Sequence, residues 1–341
     1  MAGAPRQIAA MTITIVMVVA TRGVLAQPPS YGLDFAHVGA AGNRATIPSE
    51  VPRNPTWEVG SVAHEYRITR TEITVSQWFE FVDAYWPYHD GFRADSRFTS
   101  SWIAPRNLNP ELPPDYRISA GAEHFAANVS WRMAARYANW LHNGKALTRE
   151  AFENGVYDTT TFTENPNGTL NDQSRHSPGS KFWIATEDEW VKAMYYDPNR
   201  HGPGQEGYWT MPDGGDDVLI SALPHNGGET NAGLPGSLGS GPWLNVDAYS
   251  QVMSPWGLLG GSGNLNEWME DWEYAAEPRS RTVRGSTAFS SGWHLRDRVD
   301  FSTGGTPSLA THGFRIVSIV PSPSGIALIL VGGVLIARRR R

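Results

Sequence analysis

Residues 261–272 read GSGNLNEWMEDW, and they decide how the rest of the chain is read. Glycine, serine and asparagine make a turn-forming run, and Glu267 then stands directly before Trp268. Taken alone, Glu267 is a carboxylate that accepts hydrogen bonds from loop amides beside a buried indole. Glu270, Asp271 and Glu273 follow closely enough to suggest an acid–base pair. Nothing in the sequence places them in a cleft, so they are expected on a solvated acidic loop.

Upstream, KFWIAT (181–186) reads as a short buried strand. Thr186 and Glu189 form a capping box for the next helix, with Trp190, Ala193 and Met194 facing inward. Glu187, Asp188 and Glu189 are acids favoured by that helix's N-terminal dipole. HEYRITRTEIT (64–74) alternates as strands do. Thr74 and Gln77 cap a helix whose apolar face is Trp78, Phe81, Val82 and Tyr85, ended by Pro87. A second helix starts near Ser130, repeats the spacing at Ala134, Tyr137, Ala138 and Leu141, and stops at Asn143-Gly144. Residues 144–180 read as a polar surface excursion and 199–245 as loop. Downstream, TVRGSTAF (282–289) and HGFRIVSIV (312–320) close the domain. No repeat of fixed period is present.

The chain has 341 residues and a net charge of −6, which gives no general attraction to nucleic acid. With 35 glycines, 24 prolines, 14 tryptophans and 12 tyrosines, it reads as a loop-rich fold pinned by buried aromatics. There is no cysteine, so disulfides, thiolate metal sites and thiol nucleophiles are excluded.

Both ends read as addresses. Arg6, the apolar run Ile8–Ala20 and the small-residue site Val24-Leu25-Ala26 form a secretory signal peptide, with Gln27 as the mature start. At the other end, Gly325–Ala337 is apolar and stops at four arginines, Arg338 to Arg341. As a helix it would span roughly 20 Å, short of a ~30 Å hydrocarbon core. The arginines would stay on the cytoplasmic side, leaving the body of the protein outside. With Val320-Pro321-Ser322-Pro323 ahead of it, the tail resembles a PEP-CTERM sorting signal, although the acidic residue of the commonest motif is missing. That resemblance implies an exosortase-like protease as partner and transient anchoring in the membrane. A plain tail anchor is the other reading.

YRITRTEITVSQWFEF, NVSWRMAARYANWL, FWIATEDEWVKAMYY, GLLGGSGNLNEWMEDW, TVRGSTAF and HGFRIV occur in the order seen in one family. The chain resembles the formylglycine-generating enzyme, or sulfatase-modifying factor, family over about residues 60–318. The resemblance implies an α+β, C-type-lectin-like fold with long loops and little regular secondary structure. The expected organisation is a signal peptide (1–26), a lead-in (27–60) with an edge strand at Leu33–Val38, the domain (61–318) and the sorting segment (319–341).

The family's founding enzymes bind copper through two cysteines. Aligning Gly285-Ser286 with the family motif puts Phe289 and His294 at those positions. Soft thiolates suit Cu(I), and phenylalanine cannot replace one, so no copper and no formylglycine generation are expected. The segment Phe289, Ser290, Ser291, Trp293 and His294 becomes the candidate binding groove. The resemblance also implies structural Ca²⁺. Glu267 would supply a carboxylate and Ser262, Gly263 and Leu265 backbone oxygens, with a second site beginning at Asn231-Ala232. Arg315, in Gly313-Phe314-Arg315, is expected in a buried ion pair. The leading expectation is an exported surface protein acting as a binding or structural module for a glycan or envelope component. The alternative is a metal-dependent oxidase, such as a non-haem iron enzyme, using the same groove. The ten histidines show no paired spacing in the sequence that would favour it.

Overall fold

The computed structural model describes residues 26–109, 115–234 and 243–320. The apolar part of the leader and the tail from Pro321 lie outside the described residues. Among the described residues no helix is long and apolar enough to cross a membrane.

Three helices form where sequence and caps agree. Helix α1 spans Val75–Tyr85, with Thr74 and Gln77 making the reciprocal capping box. Helix α2 spans Trp131–His142 behind the N-cap Ser130. Helix α3 spans Glu187–Tyr195 and repeats the capping box with Thr186 and Glu189. Each box satisfies backbone groups that a helix start leaves orphaned. The inward faces bury as the spacing requires: Trp78, Phe81, Val82 and Tyr85 on α1, and Ala134, Tyr137, Ala138 and Leu141 on α2. Trp78 lies 4.6 Å from Phe81 and edge-on to Phe314 at 5.8 Å, which ties α1 to the end of the chain.

Two four-stranded sheets organise the rest. The first combines β1 (Phe35–Val38), β2 (Tyr66–Thr69), β3 (Phe182–Ile184) and β8 (Ile316–Ile319) in the order β1-β2-β8-β3, all antiparallel. Strand β1 pairs Phe35 with Thr69 and Val38 with Tyr66, so part of the segment read as a lead-in is hydrogen-bonded into the sheet. The second combines β4 (Glu267–Trp272), β5 (Arg281–Arg284), β6 (Thr303–Gly305) and β7 (Gly313–Phe314) in the order β6-β5-β4-β7. Its β7 runs parallel to β4 and sets Gly313 opposite Glu267. Few helices, small sheets and long loops make this the mixed α/β, loop-rich fold that the lectin-like resemblance implies.

Three buried indoles help hold the two layers in register, each through a hydrogen bond to an acceptor. Trp131 donates to the Met269 carbonyl at 3.1 Å, Trp268 to Val129 at 2.8 Å and Trp190 to Glu267 at 2.9 Å.

The acidic stretch after Trp268 corrects the sequence expectation. Glu270 is wholly buried on β4 rather than solvated. It accepts from the Tyr157 hydroxyl at 2.7 Å and from the His176 backbone at 2.6 Å, and its carboxylate lies 3.0 Å from the His176 ring. The first four residues of β4 are all buried, and Glu270 is enclosed by Tyr157 and by His176, whose ring stacks on Trp183 at 4.5 Å. Asp271 caps the start of α3 by accepting from the Glu187 N–H and pairs with Arg175 at 2.7 Å. The excursion of residues 144–180 is thereby folded onto the sheet. Arg281 strengthens that attachment, lying 3.7 Å from the Trp131 ring centre and 3.6 Å from that of Trp272 while donating to the Gln173 carbonyl.

Candidate functional site

Strand β5 leads through Gly285 into residues 286–292 and then the one-turn helix Trp293–Arg296. Phe289 and Ser290 are half-buried, and Ser291 and His294 are exposed. Ser290 accepts from the Thr287 N–H at 2.9 Å and so shapes the loop. Phe289 does not stand alone. Its ring meets Trp243 edge to face at 5.3 Å, Trp243 meets Trp102 at 5.4 Å, and Trp102 meets Phe125 at 5.2 Å. Four half-buried rings thus form a row, and the Trp243 indole N–H within it is buried with no acceptor among the described residues.

The residues named for Ca²⁺ are brought together, but with a different division of labour. The two candidate segments are in direct contact: the Asn264 N–H donates to Asn231 Oδ1 at 2.8 Å, and Asn231 Nδ2 donates to Asn264 Oδ1 at 3.0 Å. Gly263 has φ +84°, and a Cβ there would come within 2.2 Å of Asn231 Oδ1. Ala232 donates its N–H to Thr230 Oγ1 at 3.0 Å, and Leu265 is buried beside Trp243.

Glu267 itself is engaged elsewhere. Arg315 Nε lies 2.9 Å from Oε2 and Arg315 Nη2 lies 2.9 Å from Oε1, while Trp190 also donates to Oε2. The same guanidinium donates to the Arg70 carbonyl at 2.7 Å and the Leu259 carbonyl at 2.6 Å. Arg315 is therefore the buried ion-pair partner that the sequence implies. A Ca²⁺ ion needs roughly six to eight oxygens, and one placed at this carboxylate would face a guanidinium already seated there. The Glu267 donor set does not fit that ion.

Two further buried carboxyls lie nearby, and sequence reasoning singled out neither. Glu72 packs close to Gly260, makes no ordinary hydrogen bond through either oxygen, and is pushed up to about 8 by burial and by the charge of Glu267. Asp297 is wholly buried, accepts from the Ser262 hydroxyl at 2.5 Å through Oδ2, and has no partner of normal geometry at Oδ1. Burial raises it to about 7 against the opposing pull of Ser262 and the nearby Ser286. Among the described residues no three histidine, cysteine, aspartate or glutamate side chains converge as a metal cluster.

Comparison with known proteins places this architecture. Among the solved structures that match, three are compared in numbers. CarF shares 18% identity, covers 85% of this chain and 99% of its own, and has a TM-score of 0.48. Treponema denticola variable protein 1 shares 16%, covers 83% and 94% respectively, and has a TM-score of 0.48. PvdO from Pseudomonas aeruginosa shares 15%, covers 84% and 94%, and has a TM-score of 0.44. No curated protein matches the sequence. The model of the sulfatase-modifying factor enzyme 1-like domain matches residues 38–320, which take in the second sheet, the first sheet from the end of β1 onward, helices α1 to α3 and the aromatic row. The chain belongs to the sulfatase-modifying factor enzyme 1-like family.

Proposed function

We propose that this chain is an exported surface protein whose domain binds a glycan or another envelope component instead of generating formylglycine. The row Phe125–Trp102–Trp243–Phe289 carries this reading. Phenylalanine stands where the family alignment calls for a thiolate, and it extends a series of half-buried rings. Aromatic faces offer large apolar contact at low entropic cost, and an indole N–H adds a directional donor. Sugars present both apolar faces and hydroxyl acceptors, which matches that combination. With no cysteine in the chain, copper held by thiolates is chemically out of reach. The signal peptide and the sorting-type tail support export, tail processing by an exosortase-like protease and residence at the cell surface.

The test is binding of the full chain to a panel of immobilised envelope polysaccharides. Trp243→Ala should weaken the best binder by roughly 30-fold, as expected for a central aromatic anchor worth about 2 kcal/mol. Equal binding by Trp243→Ala, with near-UV circular dichroism unchanged elsewhere, would move the ligand off this row. Thioether or thiol oxidation by the purified chain would restore the oxidase reading.

A further inference from the structure

Phe125, Trp102, Trp243 and Phe289 come from separated stretches of the chain, yet their rings meet in series at 5.2, 5.4 and 5.3 Å. The row rests on packed side chains. Trp102 and Phe125 lie against the main core, and Trp243 lies against Ala126, Val246 and Leu265. This backing fixes the rings before any ligand arrives, which lowers the ordering cost of binding. All four rings are half-buried, so each keeps a part facing solvent. The step from ring to ring is close to the advance per sugar along an extended pyranose chain.

Charge and shape narrow the occupant. Among the described residues no lysine or arginine is stacked on these four rings, whereas Trp131 and Trp272 both carry Arg281. Neutral hydroxyls and an amide flank the row. Ser101 precedes Trp102 and exchanges hydrogen bonds with Asn128, and Ser290 and Ser291 follow Phe289. Glu123, exposed two residues before Phe125, would repel an anionic chain. Successive rings stand at 75°, 80° and 70° to one another, so they share no common plane. A flat, sheet-like polymer surface needs coplanar rings. A single solvated chain can turn from one ring to the next.

We propose that the row binds the interior of a neutral, linear, single polysaccharide chain, with successive sugars on successive rings. A chain end, a charged polymer and a crystalline polymer surface are the occupants it excludes. The inference rests on the glycan-binding reading of the row and adds the class of glycan and the way its length is read. Affinity then builds from repeated modest contacts, each ring adding a subsite, and not from one enclosed pocket.

The experiment takes the full chain and a panel of neutral and anionic envelope polysaccharides, then oligosaccharides cut from the tightest binder, measured by calorimetry. The tightest binder should be neutral, with an affinity that salt barely changes. Each sugar added up to the tetrasaccharide should tighten binding by roughly 5-fold, the equivalent of about 1 kcal/mol per aromatic contact, and longer chains should add little. Phe289→Ala removes the ring at one end, so its trisaccharide and tetrasaccharide should bind equally well. If Phe289→Ala does not fold, Phe289→Leu keeps apolar volume without the ring and decides in the same way. A monosaccharide that binds as tightly as the tetrasaccharide, an anionic polymer as the tightest binder, or an unchanged length dependence in the Phe289 variant would overturn the inference. Any of these would leave the glycan reading standing as long as Trp243→Ala still weakens binding. Binding to none of the polysaccharides would remove that reading and the inference with it.

Discussion

The Arg315–Glu267 hub and the Asp297–Ser262 cluster are both wholly or almost wholly buried, and both adjoin the turn that leads into β4. In the hub, each carboxylate oxygen meets a donor and the guanidinium reaches the Arg70 and Leu259 carbonyls as well. In the cluster, hydroxyls and amides close on one another and one carboxylate oxygen is left over. Burial alone therefore does not separate structure from function. Completeness of pairing does: a saturated network holds loops together, and an unsaturated one leaves a buried carboxyl whose charge state responds to pH.

Breaking the saturated side should give the largest effect. Arg315→Met leaves Glu267 charged, buried and short of its partner. Loss of one partner of a buried ion pair costs about 3–5 kcal/mol. Chemical denaturation should show that loss, or the variant should fail to accumulate as folded protein. A change under about 1 kcal/mol would mean that the hub is not the clamp its geometry describes.

A smaller loss is expected at Arg281. Its guanidinium lies between the Trp131 and Trp272 rings and donates to the Gln173 carbonyl. Arg281→Lys keeps the charge but loses planar stacking and the forked donors, for about 2 kcal/mol. Protease cleavage within residues 144–180 should rise at the same time, because this arginine attaches that excursion to the sheet. Unchanged cleavage would show that Glu270 and Tyr157 hold the excursion without it.

The same contrast explains what the sequence disclosed. Helices α1, α2 and α3 were legible because period, cap and stop residue agree in each, as with Thr74, Gln77 and Pro87 around the Trp78 face. Arg315 was legible because its motif has a fixed place beside β7. Glu270 was misread because three acids within four positions look solvated, and only the distant Tyr157 and His176 make burial tolerable. Asp297 offered less still. It sits in LRDRVD, which reads as a surface charge run, while its partner Ser262 is far away in sequence. The aromatic row likewise joins Trp102, Trp243 and Phe289, whose spacing carries no period. Long-range polar and aromatic pairing leaves no local signature, so those parts of the site required the fold.

The Glu270–His176 contact sharpens the comparison through pH. Burial alone would lower the His176 pKa, but the hydrogen bond and charge of Glu270 raise it on balance. A raised histidine contributes stability that is fully present below its unfolded pKa of ~6.5 and is lost as pH rises through the folded value. Tm should therefore fall as pH climbs from about 6.5 into the alkaline range. His176→Gln should flatten that part of the profile. A profile unchanged by the substitution would assign the pH dependence to another group.

Asp297→Asn should produce the smallest change at acidic pH, and its sign should then turn with pH. The folded carboxyl sits at about 7, above its unfolded value of ~3.9. Between those values the native state binds more protons than the unfolded state, so this group costs stability as pH rises. Below that window the parent and Asp297→Asn should differ by less than about 1 kcal/mol, since both present a neutral group to Ser262. Above it the parent must bury an anion with one unpaired oxygen, and Asp297→Asn should become the more stable of the two. If Asp297→Asn is instead less stable than the parent at alkaline pH, the carboxylate is already paired within the chain. The cluster would then belong with the saturated networks.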